Sequence, residues 1–475
     1  MKFLNWKKMI NRKKLSVLAI AWLICFNMNS QTKVNDVIAN FTKFYNVTAY
    51  KQVYALLSSE AKKQLPEKEI TNFLENQIYK NYGECINYRL VKSENTDFIY
   101  SYLFKEDSLQ LTITLNSNSE IDGFTFVPFP KKAKPKREFY LSDNKKQSTL
   151  DTTIDRLVKP YMQNPDHNAL CIGIIKNDSV YFYNYGEEKK DSKILPSQTS
   201  LFEIGSITKT FCGNLLAQAV SENKLKLDDD IRLYLKGNYK NLEFNKQPIL
   251  VKHLANHTSG LPRQPENLFS QKEFDLKNPY SNYTNQSLLN YIKEFKLSVT
   301  PGTNCEYSNL GMGLLGIILE NVYKQSFSDL VKQKICEPLK MTNTGVQNIK
   351  PVNILPGYEN GTNVLNWQFK GMEAAGAIYS TPFDMMLYVK SNLQNTAQKQ
   401  IEHSATFDSG KKIALAWHFI KRKTDAELIW HNGATGGFSS FIGLIKDKNT
   451  GFIVLTNSSA ETDALPISIY NNLKK

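Results

Sequence analysis

At 475 residues the chain exceeds the ~250–300 at which a single hydrophobic core stops growing, so length alone predicts two domains. Its net charge of +14 overstates how basic the working protein is: six basic residues and no acid lie in the first thirty positions, and without those six the charge is +8. The other lysines are scattered apart from KKAKPKR at 131–137, with no aromatic-interleaved basic stripe, which argues against a nucleic-acid partner.

Lys2, Lys7, Lys8, Arg12, Lys13 and Lys14 precede the apolar run LSVLAIAWLICF and the small polar pair Asn29-Ser30, so residues 1–30 read as a secretory signal peptide and the protein as periplasmic or secreted. The run is shorter than the ~20 residues a spanning helix needs, and an uncleaved leader would be the chain's only membrane contact. Bulky Trp22, Leu23 and Ile24 before Cys25 argue against lipidation.

From 31 to 128 the pattern runs helices first and strands second. Val34, Val37, Ile38, Phe41 and Tyr45 recur at helical spacing, as do Ile70, Phe73, Leu74 and Ile78; after Gly83 the period becomes two, in DFIYSYLF and LQLTITLNSNSEIDGFTF. This predicts a small α+β unit without a catalytic constellation. It weakly resembles NTF2-like accessory domains, which implies scaffolding or binding. The Pro- and Lys-rich stretch 129–150 reads as a linker.

A second domain is expected over 151–475. ALCIGIIKNDSVYFYNYG reads as a hairpin turning at Asn177-Asp178, LFEIGS as a strand, and ITKTFCGNLLAQAVSENK as a helix. A long helical section follows, and strand-like SSFIGLIKDKNTGFIVLTNS closes the chain. Strands at both ends with helices between them predict one sheet built from both termini. Five cysteines follow the leader with no C-x-x-C pair, which is neither a disulfide framework nor a zinc site, although one bridge is allowed.

Three stretches carry chemistry. Ser206 and Lys209 stand three apart where a helix begins, so the lysine falls on the serine's face and the helix N-terminus offers N–H groups to developing negative charge. A serine hydroxyl needs such an activator to become a nucleophile. EYSNL at 306–310 presents Tyr307 and Asn309 before another helix, and WHNGATGG at 430–437 presents His431 and Gly433 on a small-residue strand. His253 and His257 lack the glutamate of a zincin helix and read as packing. Trp417 and Trp430 could line a cleft or a core, and no G-x-S-x-G elbow is present.

S-x-x-K, Y-x-N and H-x-G in this order resemble the serine penicillin-recognising family, and more closely its branch of class C β-lactamases, D-alanyl-D-alanine carboxypeptidases, D-aminopeptidases and esterases. NHTSGLP, LDDDIRLYL and GMEAAGAIYSTPFDM are similar to landmarks of that branch, over about 150–475. The resemblance implies an α+β fold, an antiparallel sheet flanked by helices with a helical subdomain, and no cofactor or metal. Position by position it implies Ser206 as the acylated nucleophile, Lys209 as its proton partner and Tyr307 as general acid/base. Asn309 would bind the substrate amide, His431 and Gly433 would form the third element, and the N–H groups of Ser206 and Ala434 would form the oxyanion hole.

The expected partner is a small-molecule or peptide substrate, with peptidoglycan stem peptides as the leading class. An esterase, a weak β-lactamase and a non-catalytic penicillin-binding sensor are the alternatives. Class C β-lactamases carry a lysine where His431 stands. A titrating imidazole there predicts that carboxylate-bearing substrates bind more tightly as pH falls through ~6.5. The loop 262–300 is expected to set the substrate.

Overall fold

The computed structural model describes residues 33–105, 108–128, 134–275, 277–346, 354–420, 426–459 and 464–474; the expected signal peptide lies outside them. The chain divides into two units, Met1–Ala133 and Lys134–Lys475.

In the first unit a helix over 33–46 is followed by short helices at Tyr50–Ala55, Ser59–Gln64 and Glu67–Asn72, the last continuing as a wider turn to Tyr79. Four strands then form an antiparallel meander: β1 (Cys85–Glu94), β2 (Asp97–Phe104), β3 (Ser108–Leu115) and β4 (Ile121–Pro128). Alternate residues of β3 are buried, the period-two pattern of a sheet with one wet face. The core joins the helical stripe Ile38, Phe41 and Tyr45 to Tyr102, Phe104 and Leu111. β1 carries almost no buried residues, which is why no alternation marked it in the sequence.

The second unit begins within the expected linker. Arg137 donates from its guanidinium to the carbonyls of His167 (2.8 Å) and Pro165 (3.1 Å), and the Asn184 amide donates to Asp143 (2.8 Å). Residues 134–148 are thus fixed to the domain they precede. Their composition resembled a linker because the lysines among them face solvent while Arg137 and Asp143 do the anchoring. Ser148 and Asp151 then form a reciprocal capping box that starts α1 (Thr149–Met162).

An eight-stranded antiparallel sheet dominates this unit. Its strands are β5 (Leu170–Lys176), β6 (Ser179–Tyr185), β7 (Phe407–Asp408), β8 (Lys412–Ile413), β9 (His418–Ile420), β10 (Leu428–Ala434), β11 (Ser439–Ile445) and β12 (Thr450–Thr456), in the order β7-β8-β9-β10-β11-β12-β5-β6. Both ends of the domain therefore meet in one sheet, because β12 pairs with β5 from Thr456↔Leu170 to Thr450↔Lys176. The β5–β6 turn places Asn177 and Asp178 at φ +51° and +60°, the mirror-image turn that Asn and Asp tolerate. β11 and β12 are buried at every position, since helices cover both faces.

On one face α1 and α5 (Ala464–Leu473) enclose one apolar cluster. On the other lie α2 (Thr208–Ser221), α3 (Asn309–Tyr323) and α4 (Pro382–Leu393), with the helical middle section. α2 and α3 are buried almost all round, a pattern that places them inside the domain rather than on its surface. None of the five described cysteines is bridged. Among the described residues no helix is long and apolar enough to cross a membrane.

Candidate active site

Ser206 sits in a single tight turn, Gly205–Ile207, that feeds directly into α2. Gly205 has φ +48°, and a Cβ there would stand 2.8 Å from both the N and O of Ala434. Glycine at this position lets β10 run against the start of α2. Gly433 makes the reciprocal approach: a Cβ on it would meet Ile204 O at 2.1 Å and Ser206 N at 2.9 Å. These two glycines bring Ser206 and Ala434 to one edge of a cleft of 530 Å³ that both residues line.

Lys209 is fully buried one turn along, and its Nζ donates to Ser206 Oγ (3.0 Å) and to the carbonyl of Ala375 (2.5 Å). Burial, reinforced by the Arg263 charge, holds its pKa well below the ordinary lysine value, so the amine spends far more time neutral than a surface lysine. Tyr307 reaches the same point from the N-terminal side of α3. Its ring lies 4.9 Å from Lys209 Nζ, and it lines the cleft together with Ser206. Burial raises its pKa, so it holds its proton at rest.

Ser308 caps α3 by accepting from Gly311 N (2.8 Å) and donates to Pro262 O (2.7 Å), which fixes Tyr307 and Asn309 on either side of it. Asn309 donates to Tyr280 Oη (3.2 Å), while its Oδ1 is buried without a protein partner, as is Gln264 Oε1. Both residues line the cleft. Two desolvated acceptors in a cleft wall suit a ligand that brings N–H donors.

The sequence-derived set is therefore assembled, with one change. Ser206, Tyr307, Asn309, Gly433 and Ala434 line the cleft and Lys209 lies directly beneath it, but the His431 side chain is not on the cleft wall. It is wholly buried, its ring 6.3 Å from Tyr307 and 5.2 Å from His418, with Nδ1 donating to Asn432 O (2.6 Å). Burial, with His418 and Lys209 nearby, drives its pKa well below 6.5. The expected titrating cation for a substrate carboxylate is thus a neutral imidazole packed behind the tyrosine.

His257 is likewise buried, its ring 4.5 Å from Tyr307, and it accepts from Ser308 N (3.3 Å). The expected packing role holds, directly against the site. Trp417 is core, donating to Glu402 (3.1 Å), and Trp430 stacks on Phe441, so neither borders the cleft.

Several cleft residues escaped the sequence motifs. Tyr280 stacks on Phe369 (4.7 Å) beside Trp367 (5.5 Å), making an aromatic wall from two distant segments. Arg263 lies with its guanidinium carbon 5.0 Å from the centre of the Tyr307 ring. Arg263, Gln264 and Tyr280 fall in the loop 262–300 expected to set the substrate, and the first two immediately follow NHTSGLP. That adjacency was the available signal.

A serine beside a buried lysine and a tyrosine, at a cleft also lined by the end of β10, is the arrangement of a serine hydrolase. The chain belongs to the Beta-lactamase family, whose model matches residues 154–472. Among similar proteins, Protein flp of Staphylococcus aureus (strain N315) is 28% identical over 324 residues, 65% of this chain and 63% of flp, so the chain spans less than two thirds of that relative. The D-alanyl-D-alanine-carboxypeptidase/endopeptidase AmpH of Escherichia coli (strain K12) is 27% identical over 328 residues, covering 64% of this chain and 83% of AmpH. A crystal structure of a beta-lactamase/D-alanine carboxypeptidase from Yersinia pestis superposes with TM-score 0.60 at 25% identity, over 68% of this chain and 99% of that one. A class C beta-lactamase at 24% identity (TM-score 0.59, 70% and 97%) shares the fold.

Proposed function

We propose that this protein is an exported serine hydrolase that cleaves D-amino-acid amides of the peptidoglycan stem-peptide kind, as a carboxypeptidase or aminopeptidase. The observation that carries the reading is the buried Lys209 amine 3.0 Å from Ser206 Oγ and 4.9 Å from the ring of Tyr307, which lines the same cleft. Export rests on the leader motif, and the amide preference on the unpartnered acceptors of Asn309 and Gln264.

In this scheme Ser206 Oγ attacks the substrate carbonyl carbon and passes its proton to the neutral Lys209 amine. The N–H groups of Ser206 and Ala434 hold the developing oxyanion. Tyr307, protonated at rest, gives its proton to the departing amine and is reprotonated by Lys209. Water then attacks the acyl-serine, gives up a proton to the same relay, and releases Ser206. The opposite displacements of the two pKa values, lysine down and tyrosine up, favour this division of roles.

The neutral residue at 431 favours a second reading, an esterase or weak β-lactamase for uncharged substrates. The test is to incubate the full chain with a labelled penicillin and, separately, with a D-alanyl-D-alanine peptide, following protein mass and product over time. A transient adduct on Ser206 together with release of D-alanine supports the first reading; turnover of neutral esters alone supports the second. An adduct that never decays would make the protein a sensor, and no adduct on Ser206 with any of these would overturn both hydrolase readings.

A further inference from the structure

The cleft needs a cation if its substrate carries a carboxylate, and His431, buried and neutral, does not supply it. Arg263 is the one charged side chain among the described residues that line the cleft. It has no ion-pair or side-chain hydrogen-bond partner there, although twelve lysine or arginine ion pairs occur among the described residues. Its position is nevertheless fixed. The carbonyl of Arg263 accepts from the N–H groups of Asn309 (2.9 Å) and Leu310 (3.4 Å) at the start of α3, and its guanidinium lies over the Tyr307 ring at 5.0 Å. A guanidinium stacked on an aromatic face is held in one plane while its edge N–H groups stay available. That edge matches a carboxylate in a two-point geometry, which an ammonium would not.

We propose that Arg263 forms a carboxylate-binding subsite of the catalytic cleft, supplying the cation that the buried His431 side chain does not present there. The inference rests on the amide-hydrolase reading above and names its substrate class: peptides whose leaving residue ends in a free carboxylate. The neighbouring acceptors complete the picture. Asn309 Oδ1 and Gln264 Oε1, buried and unpartnered, take amide N–H donors while Arg263 takes the terminal anion.

The test separates binding from chemistry. In the Ser206→Ala background, which cannot be acylated, calorimetry measures the affinity of N-acetyl-D-alanyl-D-alanine and of its C-terminal carboxamide. The carboxylate form should bind about ten- to a hundredfold more tightly, the range for a charge-assisted hydrogen bond. The preference should shrink as salt rises. Adding Arg263→Gln should level the two affinities, and Arg263→Lys should restore part of the preference; unchanged melting temperatures show that these variants fold. Equal affinities with Arg263 intact, a preference that survives Arg263→Gln, or no measurable binding of either form at millimolar concentration would overturn the subsite. Absence of an acyl-enzyme on Ser206 in the unmodified protein would instead overturn the hydrolase reading, and the calorimetric comparison stands whichever way that falls.

Discussion

Replacing Gly433 by alanine tests how the site is built. The φ of Gly433 lies outside the left-handed region, so an alanine there suffers no backbone penalty and acts only through its methyl group. That methyl would stand 2.1 Å from Ile204 O, 2.5 Å from Ser440 Oγ and 2.9 Å from Ser206 N. Two of these atoms are backbone and cannot rotate away, so β10 must withdraw from the start of α2. Overpacking of this kind costs about 1–3 kcal/mol of stability. The catalytic effect should be larger in kind, because the shift separates the N–H groups of Ser206 and Ala434. Losing one oxyanion donor costs about 10²–10³ in rate, or about 2.7–4 kcal/mol. The assay is the second-order rate constant for acylation by a chromogenic β-lactam or ester, measured beside the melting temperature. Gly123→Ala is the control, since nothing lies within 4 Å of its Cβ. A folded Gly433→Ala protein acylated within threefold of the parent would refute the oxyanion-hole geometry.

Lys209→Met should reduce acylation by about 10²–10⁴ without lowering the melting temperature, because it removes a desolvated amine with no acidic partner. Its loss should not add to that of Ser206→Ala if the two act as a unit; lost stability with retained acylation would make the lysine structural. Because burial holds His431 neutral, KM for a carboxylate substrate and for its neutral ester should follow the same trend from pH 5.5 to 8, and a divergence centred near 6.5 would restore His431 as the anion site. All six histidines have pKa values lowered chiefly by burial, His253 and His418 to about 4. The unfolded chain therefore binds more protons below ~6.5, and stability present above that pH is lost as pH falls toward 4, by up to about 1.4 kcal/mol per pH unit per histidine. Glu373, raised to about 7, works in the opposite direction. A melting temperature that stays level or rises from pH 7 to 5 would contradict the buried-imidazole picture.

The sequence by itself determined what depends on local spacing. Ser206 and Lys209 are three apart on one helix, so their contact follows from helical geometry once α2 exists. The Asn177-Asp178 hairpin follows from turn chemistry, and the capping box of α1 from its residue types. The strands at both ends of the domain pointed to one sheet built from both termini, and the order of the three motifs indicated the fold through its resemblance to a known family. Only the tertiary structure decided which side of β10 each residue of the third motif faces. His431 and Asn432 are adjacent in sequence, yet consecutive side chains of a strand point to opposite faces, and the rings packed around His431 come from Tyr307, just before α3, and from His418 of β9, far from Tyr307 along the chain. For the same reason the charge state of His431 was not legible in a motif: desolvation is set by everything packed around a group, and a sequence pattern specifies only the group. Arg263 shows the converse. Nothing local distinguishes it from a surface arginine until α3 fixes its backbone and Tyr307 rises beneath its guanidinium.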